Sequence, residues 1–171
     1  MSYNITGAVQ GGNLTLGKPG LAAGTTTTYT ITNTFTYSNK GQLYSKAAAT
    51  NAASPTTDYN TGVAFLPLTA GQCCLFAFGV DVNGAVGVVQ SLPPNLKQQV
   101  FTATNDLLGG IAALQFPGVP DTLTVFGYLL VEAGSTLASP WVFGVNNLSG
   151  VTGLTYIFRD VMDAPGQPIT G

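Results

Sequence analysis

The stretch Gln72–Gln90 constrains the chain most, because its local sequence alone dictates a tertiary pairing. Val80-Asp81-Val82 runs into Asn83-Gly84 and resumes as Ala85-Val86-Gly87-Val88-Val89. An Asn-Gly dipeptide between apolar arms is a strong short-range hairpin signal. A type I′ turn needs positive φ at both central residues, which Asn tolerates and Gly adopts freely, so Asn83 and Gly84 are predicted as the structural turn. The first arm alternates Cys74, Phe76, Phe78, Val80 and Val82 on one side with Cys73, Leu75, Ala77, Gly79 and Asp81 on the other. Both sides are apolar almost to the turn, which predicts a strand inside a sandwich, or one with a core on one side and a partner on the other.

The other extended segments follow the same logic. From Thr25 to Tyr37 the alternation is nearly strict, with Tyr29, Ile31, Phe35 and Tyr37 facing one way and Thr26, Thr28, Thr30, Thr32, Thr34 and Thr36 the other. Such a period of two predicts a strand with one buried face. Its threonine side reads either as solvent-facing β-branched filler or as an uncharged contact surface, with Thr28, Thr30 and Thr32 as candidate partner contacts. Ser38-Asn39-Lys40-Gly41 is a second turn signal, with Gln42 to Ala49 returning as a strand. Thr50 to Gly62 lacks periodicity and reads as a long loop of the kind that carries function or is ordered by a partner, with Asp58 and Tyr59 as candidate contacts. Short strands are expected at Val63 to Leu68, Asp121 to Ala133, Trp141 to Val145 and Val151 to Val161. Leu96 to Leu108 is compatible with a short helix or with a strand around Phe101.

Short strands separated by Gly and Pro, without an amphipathic helix, predict an all-β fold: a single antiparallel β-sandwich of jelly-roll-like type spanning 1–171. Met1 to Leu21 reads as an N-terminal arm or, equally, as an ordinary edge strand, with Leu14 and Leu16 as candidate partner contacts, and Asp163 to Gly171 as an extended C-terminal tail.

Charge sets the function classes. Lys, Arg, Asp and Glu make 7% of the 171 residues, against about 25% in an ordinary soluble domain. Dispersed charge keeps free monomers apart, so a chain this poor in it is expected to work inside an assembly, with a homo-oligomer (dimer or trimer) as one partner. With net charge -2 and no basic cluster, nucleic acid is not an expected partner. No apolar run approaches the roughly 18 to 20 residues of a spanning helix, and the start Met1-Ser2-Tyr3-Asn4 lacks a signal-peptide pattern, so neither membrane binding nor secretion is expected. Cys73 and Cys74, the only cysteines, point to opposite sides of a strand and read as small buried hydrophobes rather than as a disulfide.

No chemistry is legible. The chain has no His to act as a base, which closes the Ser-His-Asp and Cys-His arrangements. Neither a nucleophile elbow nor a phosphate-binding loop is present. The carboxylates Asp58, Asp81, Asp106, Asp121, Glu132, Asp160 and Asp163 mostly sit beside turn residues rather than in identifiable catalytic pairs. Asp81-Val82-Asn83-Gly84 looks like the start of a calcium loop but lacks the closing ligands. Trp141, Tyr156 and Phe158 read as core rather than as a sugar-stacking platform. Catalytic, cofactor and metal sites are therefore all expected to be none, and the chain is expected not to be an enzyme.

The low-charge Thr/Gly/Ala-rich style, with Tyr44-Ser45-Lys46-Ala47-Ala48-Ala49-Thr50-Asn51, Pro120-Asp121-Thr122-Leu123 and Phe126-Gly127-Tyr128-Leu129, resembles the small virion proteins encoded among tailed-bacteriophage head genes. The likeness spans roughly Leu43 to Val161. It implies a capsid decoration, or cement, protein: an all-β module bound in many copies outside the head, with the major capsid protein as partner, made in the host cytoplasm and placed on the virion surface. The alternative is a receptor- or glycan-binding module of a phage fibre or tail.

Overall fold

The computed structural model describes residues 12–91, 95–96 and 116–162. Eleven strands are assigned among them: β1 (Leu14–Thr15), β2 (Leu21–Ala23), β3 (Thr28–Ile31), β4 (Phe35–Asn39), β5 (Gln42–Lys46), β6 (Ala49–Ala53), β7 (Gln72–Val80), β8 (Val86–Gln90), β9 (Asn95–Leu96), β10 (Thr124–Ala133) and β11 (Leu154–Asp160). No helix occurs among the described residues. The strands form three sheets: a large one in the order β11-β10-β7-β8 with β9 also on β7, and two three-stranded ones, β1-β4-β5 and β2-β3-β6. All the pairings are antiparallel. The all-β sandwich expectation holds. The finer jelly-roll expectation does not gain the same support, since the layer opposite the large sheet consists of two small sheets rather than one.

β7 is the central strand because it carries no charge and is buried on both sides. Its Cys74, Phe76, Phe78 and Val80 enter the main core, while Cys73 and Leu75 form a smaller cluster with Leu130, Tyr128 and Ile157 on the opposite face. The two cysteines are free and buried, facing opposite sides as the alternation requires. The main core is largely aromatic. Phe76 stacks on Phe143 with ring centroids 4.9 Å apart and meets Phe65 and Trp141 edge-on, and Phe78 contacts Tyr29, Phe126, Phe143 and Phe158. Offset and edge-to-face geometries of this kind add to area burial.

Hydrogen bonds fix the small sheets against the large one. Thr15 Oγ1 donates to the Val125 carbonyl at 2.7 Å, and Asn13 Nδ2 to those of Asp121 and Leu123. Asn39 Nδ2 donates to the Thr122 carbonyl, and Thr124 Oγ1 to that of Ser38. The Asp160 carboxylate accepts the Gly20 and Leu21 N–H groups, fastening β2 beside β11.

Several expectations are corrected. Asn83-Gly84 does sit in the hairpin turn between β7 and β8, but the turn is not type I′. Gly84 has φ +78°, whereas Asn83 is not among the positive-φ residues. The Gly84 N–H donates to the Asp81 carbonyl and the Asp81 N–H to that of Ala85, a type I turn closed by a left-handed glycine. The Asp81 carboxylate selects this form by accepting the N–H groups of Asn83 and Ala85. Type I′ geometry belongs instead to Lys40-Gly41, with φ of 49° and 81°, joining β4 and β5 through two residues.

The single strand expected over Thr25 to Tyr37 is two strands in different sheets. It breaks where Thr32 and Asn33 donate their N–H groups to Gly20 and Pro19 rather than to a ladder partner. Of the N-terminal segment, β1 is an edge strand paired with β4 and Leu21 lies in the core, which matches the edge-strand reading. Thr50 to Ala53, expected as loop, belongs to β6. The segments 63–68 and 141–145 contribute only isolated bridges, Thr57 with Ala64 and Leu68 with Trp141. In β10 a register shift between Val125 and Gly127 turns Phe126 into the same core as Leu129 and Val131, so simple alternation misassigns its face. Residues 1–11, the 163–171 tail and most of Leu96 to Leu108 lie outside the described residues.

Phe76→Ala, at the centre of the aromatic cluster, is expected to lower unfolding free energy by about 3–5 kcal/mol, as measured by urea denaturation followed through Trp141 fluorescence.

Candidate functional site

Each candidate contact residue now has a place. Leu14 lies in β1 opposite Ser38, and the Leu16 N–H bonds the Thr36 carbonyl at 2.9 Å. Both side chains are half-buried. The threonine hydroxyls are engaged locally: Thr28 Oγ1 accepts the Thr25 N–H, Thr30 Oγ1 accepts the Asn51 N–H, and Thr32 Oγ1 donates to the Gly20 carbonyl. The Thr28 and Thr30 side of β3 is shared with Ala22 and Ala53, their cross-strand partners. That face carries no charge.

Asp58 is corrected as a contact residue. It is buried at 4% exposure, and both carboxylate oxygens serve the fold. One accepts the N–H groups of Asn60 and Thr61 and the Thr61 hydroxyl, and the other accepts the Gln90 N–H at 2.7 Å. Asp58 therefore clamps its loop onto β8. The adjacent Tyr59 remains available at 42% exposure. Its N–H donates to the Val88 carbonyl, and its ring lies over Gly87, where an added Cβ would come within 2.5 Å of Tyr59 Cδ2.

The remaining described carboxylates are dispersed. Asp81 holds the hairpin turn, Asp160 fastens β2, Glu132 is buried, and Asp121 pairs with Lys40 at 3.4 Å on the surface. Asp106 and Asp163 lie outside the described residues. No group of three His, Cys, Asp or Glu suited to a metal occurs among the described residues. Cys74 is held as a neutral thiol, because burial pushes it up to about 11, against the opposing pull of hydrogen bonds from Ser91 and Gln90. Burial likewise raises Tyr29 and Tyr37, the latter also through the Asp81 charge.

Trp141 is 1% exposed and donates its Nε1–H to the Asn147 carbonyl at 2.8 Å. Tyr156 and Phe158 pack against the same core, so these three rings do not form a sugar-stacking platform. Two concavities stand out among the described residues. One is an open, uncharged cleft of about 480 Å³ between segments 137–141 and 145–152. The other is an apolar hollow of about 190 Å³ on the outer side of the large sheet, lined by Leu75, Phe116, Tyr128, Leu130, Ile157 and Arg159. Sequence reading missed both, since each joins residues distant in the chain or in loops.

Exposed large apolar side chains are spread over the surface, among them Leu43 at 66%, Val63 at 61%, Val145 at 59% and Phe116 at 55%. The exposed charged residues among those described are Lys18, Lys40, Asp121 and Arg159. No helix among the described residues is long and apolar enough to cross a membrane. Compared with known proteins, the chain matches no protein-family model, no curated protein and no solved structure.

Two outcomes test this account. Asp58→Ala is expected to destabilise the protein by about 2–3 kcal/mol, since it strands several buried N–H donors; a chemical denaturation curve reads the loss. Alkaline stability gives the second. The Cys74 thiol ionises near its ordinary 9.0 when unfolded but near 11 when folded, so its contribution is full below pH 9 and is lost as pH rises through 11. Tyr29 and Tyr37 act in the same direction. The thermal midpoint should fall across that window, and Cys74→Ala should make the fall shallower.

Proposed function

We propose that the chain is a virion structural protein, a decoration or cement protein that binds the outside of a phage capsid and stabilises contacts between major capsid subunits. The observation that carries this reading is the surface: four exposed charged side chains among the described residues, two of them paired with each other, beside prominently exposed Leu43, Val63, Val145 and Phe116. Covering such a surface strips water from few charges, so each contact carries a small desolvation cost and a favourable apolar term. A repeated shell multiplies weak contacts into avidity. The scatter of the apolar residues suits a module that touches several neighbours rather than one deep partner.

The loop carrying Tyr59 and the uncharged Thr28/Thr30 face are the described surfaces assigned to capsid contact. Residues 1–11 and 163–171 supply further chain for bridging. A fibre or tail module recognising glycans is the competing class, and the exposed ring of Tyr59 is the one feature of the named candidates that favours it.

Cryo-electron microscopy of particles made with and without this gene tests the reading. Density in many icosahedrally arranged copies bridging capsid subunits, and heat-induced bursting at lower temperature without the gene, are expected. A few copies at one vertex, or none on the head, would overturn the cement role and favour the fibre class.

A further inference from the structure

Among the described residues, the outer side of β5 is an unpaired sheet edge whose geometry matches its own image. β5 is the terminal strand of the β1-β4-β5 sheet. The two-residue turn at Lys40-Gly41 makes Asn39 and Gln42 the hydrogen-bonded pair that closes the hairpin. Alternation then directs the backbone groups of Gln42, Tyr44 and Lys46 toward β4, and those of Leu43 and Ser45 away from it. The observed bonding confirms this parity. Thr36, the register partner of Ser45, gives its carbonyl to the Leu16 N–H on the opposite side of β4. Leu43 and Ser45 are both exposed, and neither backbone has a hydrogen-bond partner among the described residues.

The comparable edges are blunted in ways that sheets use to prevent association. β6 carries a register irregularity against β3 and a left-handed residue, Asn51 at φ 53°. β8 is flanked by Tyr59, whose N–H binds the Val88 carbonyl, and the β11 edge lies against β2, tied by Asp160. β5 has no proline, no bulge and one charged residue, Lys46, whose ammonium is engaged with the Gly84 carbonyl at 2.7 Å.

We propose that β5 is the self-association edge of this protein, pairing antiparallel with β5 of a second copy about a two-fold axis at Tyr44. In that register Leu43 lies opposite Ser45 of the other copy, so the outward N–H and C=O groups meet one another. Lys46 lies opposite Gln42, which avoids a like-charge pair. Leu43, 66% exposed, covers the small Ser45 of its partner. The contact is isologous, and the two sheets become one continuous six-stranded sheet. This inference rests on strand geometry and stands or falls independently of the capsid reading.

Light scattering after size exclusion, over a range of concentrations of the full chain, should show a dimer. Ser45→Pro removes an outward N–H without touching a β4 bond, and Leu43→Lys places two cations at the seam. Each should weaken association about tenfold or more. Tyr44→Cys should form an interchain disulfide on mild oxidation, since Cα atoms of a non-hydrogen-bonded antiparallel pair lie about 4.5 Å apart. A wild-type monomer at every concentration, or a dimer that neither substitution weakens, overturns the proposal. If Ser45→Pro disturbs the hairpin, Leu43→Lys and the cross-link decide: failure of Tyr44→Cys to link copies overturns it.

Discussion

Everything in this fold leans on the packing of Phe76 and Phe78 against rings delivered from elsewhere in the chain. β7 supplies both from one side of one strand, and they are met by Phe65, Phe126, Trp141, Phe143, Tyr29 and Phe158. Three of these, Phe65, Trp141 and Phe143, come from segments with almost no ladder of their own. Their backbone is held in place by burial of the rings and by single bridges such as Leu68 with Trp141. Aromatic packing here substitutes for strand pairing, which is how an irregular chain closes one side of a sandwich.

The polar groups follow from the same economy of charge. Asp58, Asp81 and Asp160 accept backbone N–H bonds that shape a loop, a turn and a strand junction. Carboxylates used in this way are committed to holding backbone N–H groups. The outside is left to Thr, Ser, Asn, Ala and isolated apolar side chains. Such a surface gives up little hydration when covered, which is the physical link between the composition of the chain and the assembly role proposed for it.

Much of the core was legible from period-two patterning: the alternation in β7, the inward Tyr29, Ile31, Phe35 and Tyr37, and the opposed Cys73 and Cys74 all stand as the pattern implies. The candidate contacts were less legible. Asp58 looks like an exposed loop acid in sequence, and its burial follows from the Gln90 N–H, 32 residues away. The inward face of Phe126 is not legible in the alternation, because a bulge shifts parity without leaving a signature of its own. Neither surface concavity has a local motif, since each is assembled from separate segments.

The sequence by itself determined the all-β class, the hairpin about Asn83-Gly84, the burial of β7 on both sides and the scarcity of surface charge, because these depend on local propensity, alternation and composition. The tertiary structure decided where the Thr25 to Tyr37 pattern divides between two sheets, that Asp58 is buried, and which strands of the described residues pair. Those outcomes turn on hydrogen bonds between residues far apart in the chain: Thr32 with Gly20, Asp58 with Gln90, Leu16 with Thr36. A local pattern can fix which side of a strand is apolar, but only the partners met in three dimensions fix what that side and its edge will touch.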